Sequence, residues 1–257
     1  MGKRIKVFVV GPRGFPGVQG GIERFSENLY PLLVKEGHDV TTFAIRKYCT
    51  HKQWGGVKFI YVPTPTSKIL ERFIYNFYTA IYCILKRPDI IHIHSIASGF
   101  FIFLLKFFKL KILARYNSRD YLHAKWGRFG KFILKFSEQQ FLSADYIITN
   151  NTSYLSLLQS LGRKKNIAFV PNGIDLPDIK KYQSALPSFM QVLSASDPYL
   201  LSVGRITEEK NIRTLIDAFL QIKSDKLKLV IAGDAAHKDN YLKNLKNEFS
   251  NSRILFT

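Results

Sequence analysis

The chain has 257 residues, of which 46% are hydrophobic and 22% are charged, so it can bury a core and is not a disordered polymer. Lys and Arg outnumber Asp and Glu by 38 to 19, which gives a net charge of +19 and predicts a negatively charged partner. Residues 1–175 carry +16 of this charge and residues 176–257 carry +3, so the excess belongs to the first part.

The cysteines and the apolar runs exclude several classes of protein. Cys49 and Cys83 lie 34 positions apart, with no C-x-x-C spacing and no His/Cys cluster, so neither a disulfide framework nor a zinc site is predicted. Residues 7–10 are too few for a signal-peptide core, and the run 99–105 is far shorter than the ~20 residues of a spanning helix. We therefore expect a protein of the reducing cytoplasm without a spanning helix.

Short apolar runs alternate with longer helical patterns, which is typical of β-α units around a parallel sheet. In the first part, the predicted strands cover 5–10, 40–44, 57–62, 90–94, 111–115, 146–149 and 167–170. The predicted helices cover 21–35, 69–85, 99–108, 128–142 and 152–161. These elements predict one complete α/β domain over residues 1–175.

A second α/β rhythm follows a predicted linker at 176–198. Its predicted strands cover 199–203, 228–232 and 253–256, and its predicted helices cover 211–222 and 239–249. A doubly wound domain usually needs about 100–150 residues, and residues 199–257 supply only part of one. We therefore expect either a fragment of a domain or a sheet that something else covers.

A glycine-rich loop follows the first predicted strand, with five glycines from Gly11 to Gly21 directly before a predicted helix. Glycines let backbone N–H groups approach a ligand, and a helix N-terminus attracts anions, so the loop could bind a phosphate or a sugar. The alternative is a long strand-to-helix turn. The spacing matches neither the dinucleotide G-x-G-x-x-G pattern nor the P-loop, which argues against both kinds of site.

His92 and His94 lie two positions apart on a predicted strand, so their rings point to one side. Two histidines could chelate a metal, but no third ligand has a suitable spacing, and no metal is predicted. We interpret both as polar residues at the carboxyl edge of a parallel sheet, where ligand clefts form.

A second candidate site follows the strand at 199–203. Gly204 and Arg205 end this strand, and Lys210 precedes the next helix. This arrangement suits a diphosphate, because Arg binds phosphate as a bidentate fork and Lys acts as a point charge. The alternative is a surface loop in which Glu208 and Glu209 neutralise both cations.

Residues 99–135 combine nine basic side chains with one acid and many interleaved phenylalanines. The pattern suits an anionic membrane surface, where each Lys or Arg contributes about 1 kcal/mol and aromatic side chains lie at the interface. It also suits nucleic acid on charge alone, and the alternative is a core of phenylalanines with a solvated charged rim. The basic residues are Lys106, Lys109, Lys111, Arg115, Arg119, Lys125, Arg128, Lys131 and Lys135.

Taken in order and spacing, the motifs resemble the GT-B glycosyltransferases of the large retaining family 4. The pieces that carry the resemblance are the Gly20-Gly21 loop, the Pro-Asn-Gly-Ile-Asp turn at 171–175, Gly204-Arg205 with Lys210, and Ile-Ala-Gly-Asp at 231–234. The resemblance covers essentially the whole chain. The blocks 117–121 and 125–127 resemble the bacterial branch that assembles surface polysaccharides.

The resemblance implies a nucleotide-diphosphate sugar that is bound between two Rossmann-like domains and transferred with retention, without an obligatory metal or a further cofactor. It implies a lipid-linked saccharide acceptor, and a protein bound peripherally to the inner face of the cytoplasmic membrane. It assigns Gly20, Gly21, Arg205 and Lys210 to the donor diphosphate, Gly204, Gly233 and Asp234 to the donor-side cleft, and Asn117 and Asp120 to catalysis.

The chain departs from the family pattern in two places. Many relatives carry a histidine at the position of Asn117, and Asn hydrogen-bonds there but takes up no proton at neutral pH. The family's two glutamates separated by seven residues are absent, and the pattern would place them after Thr257. We therefore interpret the chain as the first two thirds of a transferase, and we expect it to be inactive or very weak alone.

Two other hypotheses stay open. The chain could be a non-catalytic remnant that binds lipid-linked glycan or a partner subunit. It could also be half of a split transferase, whose exposed sheet edge docks a second polypeptide. Nucleic-acid binding rests only on charge and is not expected.

Overall fold

The computed structural model describes residues 3–122, 126–173, 198–234, 240–249 and 251–257. The chain divides into two compact units, Met1–Ile174 and Asp175–Thr257. Of the predicted linker at 176–198, all but Pro198 lies outside the described residues.

The first unit is built on one eight-stranded sheet. Its strands are β1 (Lys6–Val10), β2 (Asp39–Ala44), β3 (Gln53–Trp54), β4 (Val57–Tyr61), β5 (Ile90–His94), β6 (Ile112–Tyr116), β7 (Tyr146–Thr149) and β8 (Ile167–Phe169). The strand order is β3-β4-β2-β1-β5-β6-β7-β8, and only β3 pairs antiparallel with its neighbour. The predicted parallel sheet is therefore confirmed. The short strand β3 was not predicted, because two exposed residues carry no apolar pattern.

The helices of the first unit are α1 (Gly21–Lys35), α2 (Lys68–Lys86), α3 (Ile102–Phe107), α4 (Arg128–Leu142) and α5 (Thr152–Ser160). Their bounds agree with the predictions to within one residue, except for the helix predicted at 99–108. There a 3-10 helix, Ile96–Ser98, comes first and is capped by the Ser95 side chain, which accepts a hydrogen bond from the Ala97 amide, and α3 begins only at Ile102. Helix α3 is correspondingly short.

Apolar side chains cover both faces of this sheet, as expected for a parallel sheet between helices. Successive residues of a strand point to opposite faces, so β1 sends Val7 and Val9 to one side and Phe8 and Val10 to the other. The first side packs under α1, which contributes Tyr30. The second side packs under residues of α2, α3, α4 and α5.

The second unit has a smaller parallel sheet with its own core. Its elements are β9 (Tyr199–Val203), α6 (Ile212–Leu220), β10 (Lys228–Ala232), α7 (Tyr241–Glu248) and β11 (Ile254–Phe256), with strand order β11-β10-β9. All five were predicted. Ile206, Ile216, Phe219, Leu229 and Leu245 are buried together between the helices and the sheet.

Among the helices of the described ranges, none is both long and apolar enough to cross a bilayer.

Candidate functional site

The carboxyl ends of β1, β5 and β6 lie side by side in the first unit. Strand β1 sits between β2 and β5, so the chain passes from β1 to one neighbour and later returns to the opposite side. Such a reversal opens a crevice at the carboxyl ends of parallel strands, where ligands bind. The glycine-rich loop, His94 and Asn117 all lie at these strand ends.

The glycine-rich loop is tied to α1 by an ion pair. Arg13 Nε donates to Oε1 of the buried Glu23 over 2.8 Å, and Arg13 Nη2 donates to the Gln19 carbonyl over 2.5 Å. Gly20 has φ +152°, and a Cβ at this position would lie 2.0 Å from Glu23 Oε2. A side chain at position 20 would therefore displace the carboxylate. Both Gly20 and Gly21 are exposed, so a ligand can reach their backbone.

His92 and His94 point to one side of the sheet, as predicted, but both rings are buried rather than open to a cleft. The Tyr30 hydroxyl bridges them, 2.8 Å from His92 Nδ1 and 2.5 Å from His94 Nε2. Burial and the charge of Arg115 lower the pKa of His92 to about 3. Burial, His92 and Arg115 also lower the pKa of His94 well below its usual range. Both rings are therefore neutral at pH 7.

Arg115 does not belong to the basic face on which the sequence placed it. Its side chain is 1% exposed, and the guanidinium carbon lies 3.7 Å from the centre of the Phe25 ring. Nε donates to Asn117 Oδ1 over 3.1 Å, and Nη2 donates to Asn172 Oδ1 over 2.5 Å. Arg115 thus joins the end of β6 to the turn after β8, and burial lowers its pKa.

The segment that follows β6 is anchored from α4 by Glu138. This buried carboxylate accepts hydrogen bonds from the hydroxyls of Tyr116 and Tyr121, and Arg119 Nε lies 3.2 Å from it. Arg119 is therefore also paired inside the unit rather than free on its surface. Candidate Asp120 stands in this segment, but its side chain lies outside the described residues, as does Lys125.

In the second unit, the loops after β9 and β10 lie side by side. The Ile206 amide donates to the Asp234 carbonyl over 3.0 Å, and the Gly204 amide donates to the Ala232 carbonyl over 2.9 Å. Gly233 has φ +150°, and a Cβ there would lie 1.9 Å from the Gly204 carbonyl oxygen. The structure therefore brings Gly204, Gly233 and Asp234 together, and a glycine at position 233 is required for this approach.

Arg205 and Lys210 are exposed beside this contact. Arg205 Nη2 lies 3.7 Å from Glu209 Oε1, and the two side chains are 57% and 41% exposed. A pair this open contributes about 0–1 kcal/mol, so Glu209 holds Arg205 only weakly. Arg205 and Lys210, the two cations suggested to bind a diphosphate, are therefore accessible to a ligand.

Over the described ranges, no group of three or more His, Cys, Asp or Glu side chains comes together to hold an ion. Independence from metal stays a prediction.

Sequence reasoning missed the interior partners of this site: Arg13, Glu23, Tyr30, Asn172 and Glu138. One signal was present. Arg115 interrupts the apolar run of β6, and charged residues are almost never fully buried unless they are paired. A charge at that position indicated an inward partner rather than a basic surface.

Comparison with known proteins agrees with this architecture. Residues 19–177 match the family described as Glycosyltransferase Family 4, and residues 188–257 match the one described as Glycosyl transferases group 1. The first match alone spans more than half of the chain.

Individual relatives and a solved structure point the same way. The chain is 30% identical to the alpha-monoglucosyldiacylglycerol synthase of Streptococcus pneumoniae, over 93% of this chain and 57% of that protein. It is 35% identical to the N-acetylgalactosamine-N,N'-diacetylbacillosaminyl-diphospho-undecaprenol 4-alpha-N-acetylgalactosaminyltransferase of Campylobacter jejuni, over 44% of this chain and 29% of the relative. HepE of Anabaena, solved with UDP-glucose, superimposes with a TM-score of 0.69 at 16% identity, over 99% of this chain and 69% of that one.

The chain thus spans less than two thirds of the length of each of these two relatives. The parallel sheets and the solved structures of this kind confirm the predicted Rossmann-like GT-B fold. The family match confirms the resemblance read from the motifs: this chain belongs to glycosyltransferase family 4.

Proposed function

We propose that this protein transfers a sugar from a nucleotide-diphosphate sugar to a lipid-linked saccharide, with retention of configuration, in the assembly of a bacterial surface polysaccharide. The observation that carries the proposal is the pair of accessible cations, Arg205 and Lys210, beside the Gly204–Gly233 contact in a chain of this family. Asn117 and Asp120 remain the proposed catalytic residues, with Gly20 and Gly21 beside the donor phosphates.

The chemistry of transfer explains why cations are needed there. The bond between the anomeric carbon and the diphosphate oxygen breaks, a bond from that carbon to the acceptor hydroxyl oxygen forms, and the hydroxyl proton passes to the leaving diphosphate. Negative charge grows on the leaving diphosphate, and preorganised cations stabilise it. In this proposal, Arg205 and Lys210 supply that charge without a metal.

Names of similar proteins support the two substrates. HepE was solved with UDP-glucose, and the two relatives are named for a glycosylated diacylglycerol and for a diphospho-undecaprenol saccharide. Because the chain spans 57% of the synthase, we expect weak or no transfer by these 257 residues alone. Donor binding is therefore the measurement to make.

We expect Arg205→Ala to weaken the binding of UDP-glucose at least tenfold in a calorimetric titration. A hydrogen bond to a charged group contributes roughly 1.5–3 kcal/mol, which corresponds to about 10- to 100-fold in affinity. The matched control is Lys223→Ala, an exposed cation that precedes β10 and so lies on the opposite edge of the sheet. Equal losses in both variants would contradict the assignment.

The first unit also carries a face suited to a membrane, which we call the aromatic face. It consists of exposed apolar side chains on α2, α3 and α4: Phe73, Phe77, Leu85, Phe103, Phe107, Phe129, Phe132 and Phe136. Phe107 is 79% exposed and Phe129 is 76% exposed. Ring contacts of Phe101 with Phe73 and Phe77, and of Phe100 with Phe136, connect the helices. The alternative that these phenylalanines form the core holds for Phe101 but not for the exposed ones.

Basic side chains lie on, or directly after, two of these helices, α3 and α4. Lys109, Lys111 and Lys135 are exposed, whereas Lys106 is paired with Asp145 at 2.6 Å and contributes less free charge. Exposed aromatic residues beside cations favour the surface of an anionic bilayer. We therefore propose peripheral binding to the cytoplasmic leaflet through this face.

We expect the triple variant Phe107→Ser, Phe129→Ser, Phe132→Ser to bind vesicles of anionic phospholipid at least tenfold more weakly in a sedimentation assay. The matched control, Leu32→Ser with Leu161→Ser, removes exposed apolar side chains outside the aromatic face. Charge reversal of Lys109, Lys111 and Lys135 is expected to remove the preference for anionic over neutral vesicles. If the wild type binds anionic and neutral vesicles equally, the membrane proposal is contradicted.

A non-catalytic or split transferase is the second candidate function. It is favoured by β9, where Leu201 is 52% exposed and Val203 is 75% exposed. An open apolar strand suits the docking of a further polypeptide segment. Absence of any nucleotide-sugar affinity in the titration would favour this candidate.

A further inference from the structure

The Arg115 guanidinium is buried in the first unit, and no carboxylate of the described residues is paired with it. Its Nη1 is buried with no described hydrogen-bond partner. Its described neighbours are neutral: the Phe25 ring, the Tyr30 hydroxyl and the two histidines that this hydroxyl bridges. A buried charge costs several kcal/mol per ion unless it is paired, so its retention calls for a role.

The contacts of Arg115 determine how two carboxamides are turned. A guanidinium has donors only, so the atoms that meet Nε and Nη2 must be amide oxygens and not amide nitrogens. This chemistry fixes the orientation of Asn117 and Asn172. Their NH2 groups stand on the other branch of each carboxamide, away from Arg115.

The two amide oxygens occupy one side of the guanidinium. Nε and Nη2 form the edge that binds a carboxylate bidentately, and here the oxygens of two different residues take those places. Asn172 is exposed and Asn117 is partly exposed, and each follows the carboxyl end of a strand, so a ligand can approach their NH2 groups. Neither group donates to another residue within the described part of the chain.

We propose that Arg115 is a positioning residue, which holds the NH2 groups of Asn117 and Asn172 toward the substrate. These NH2 groups then donate hydrogen bonds to a negatively charged phosphoryl oxygen, which can only accept them. Two fixed donors beside a buried guanidinium that no described carboxylate neutralises repel other donors and attract an anion. Asn117 then acts only as a hydrogen-bond donor and removes no proton. The phosphoryl group would belong to one of the substrates of the proposed function, and this part of the inference rests on that function.

Replacing the Asn117 amide with a carboxylate distinguishes a positioning role of Arg115 from a purely structural contact between the two residues. In Asn117→Asp, the new carboxylate forms an ion pair with Arg115 but loses the NH2 donor. We expect the thermal midpoint to rise by about 3 °C or more, because a charge-assisted hydrogen bond replaces a neutral one. If Asn117 had only a structural role, Asn117→Asp would still bind the ligand. In our proposal, Asn117→Asp loses the ligand although its stability rises.

Ligand contact is measured on the side-chain amide signals of Asn117 and Asn172 in 15N NMR spectra. Inorganic pyrophosphate is expected to shift both signals in the wild type, and to shift that of Asn172 at least tenfold less in Asn117→Asp at equal concentration. A shift with UDP alone assigns the phosphoryl group to the donor, and a shift with farnesyl diphosphate alone assigns it to a lipid diphosphate. If none of the three probes shifts either signal, the phosphoryl assignment is overturned.

The matched control is Asn151→Asp. This residue caps α5 by accepting a hydrogen bond from the Ser153 amide over 2.8 Å, and Asp caps as well as Asn, so we expect the thermal midpoint to change by about 1 °C or less.

In an Arg115→Met background, the rise in the thermal midpoint caused by Asn117→Asp should vanish. An unchanged or lowered midpoint for Asn117→Asp alone overturns the positioning role, even if the Arg115 variant does not fold. If Arg205→Ala loses nucleotide binding but the wild type shows no amide shift with any probe, the proposed function is supported and this inference is rejected.

Discussion

Glu138→Ala is expected to lower the free energy of unfolding of the first unit by about 3–5 kcal/mol, since it breaks a buried charged cluster. The carboxylate is 8% exposed and accepts from two phenols, and Arg119 Nε lies 3.2 Å away. Burial and the hydrogen bond to Glu138 raise the pKa of Tyr121 to about 12, so this phenol remains a donor at neutral pH. Without the carboxylate, both hydroxyls and the guanidinium lose their acceptor.

Chemical denaturation followed by circular dichroism measures this effect. Gln139→Ala is the matched control, because residue 139 is exposed on the same helix, and its change is expected to stay within about 0.5 kcal/mol. Glu138→Gln tests charge separately, since an amide oxygen can still accept from one phenol. Equal stability of Glu138→Ala and Gln139→Ala would show that the cluster does not anchor the segment after β6.

Acid is expected to destabilise the first unit through His92 and His94. Both rings are neutral when folded, because burial and nearby positive charge hold their pKa values below 6.5, at about 3 for His92. The unfolded histidines titrate near 6.5, so below that pH the unfolded chain binds more protons and stability falls as pH falls toward 3. For two such groups the loss between pH 7 and pH 5 is about 4 kcal/mol.

The measurement is the denaturation midpoint between pH 7 and pH 5. In His92→Gln with His94→Gln, the pH dependence should flatten even if the starting stability is lower. His51→Gln is the control, because it removes a histidine that is exposed rather than buried. A double variant with the wild-type slope would assign the acid sensitivity to other groups.

Local patterns were enough to predict most secondary structure. The helices Gly21–Lys35 and Arg128–Leu142 were predicted at their observed bounds, as were the strands β5, β7, β9 and β10. Each has a periodicity of apolar residues that is complete within its own segment. The two-residue strand β3 has no such period, and the helix predicted from residue 99 begins only at Ile102, after the 3-10 helix Ile96–Ser98.

Some residues of the candidate site could likewise be placed from the sequence, and others could not. Motif order was sufficient to place Gly204 and Arg205 beside Gly233 and Asp234, since both loops follow strands that are neighbours in a parallel sheet. The same sequence placed Arg115 and Arg119 on a basic face and the histidine pair in a cleft. His94 does end β5 as expected, but both histidine rings are buried, Arg115 is buried and Arg119 pairs with Glu138, because partners from other elements cover these side chains.

The sequence by itself thus determined the family, the alternation of strands and helices, and the loops that follow the strands. Only the tertiary structure decided which polar groups are interior. Arg115 meets Asn172 across 57 positions, and Tyr30 meets His92 and His94 across 62 and 64. Periodicity reports which face of its own element a residue occupies, whereas the protonation and orientation of a buried group depend on partners that the strand order brings from distant parts of the chain.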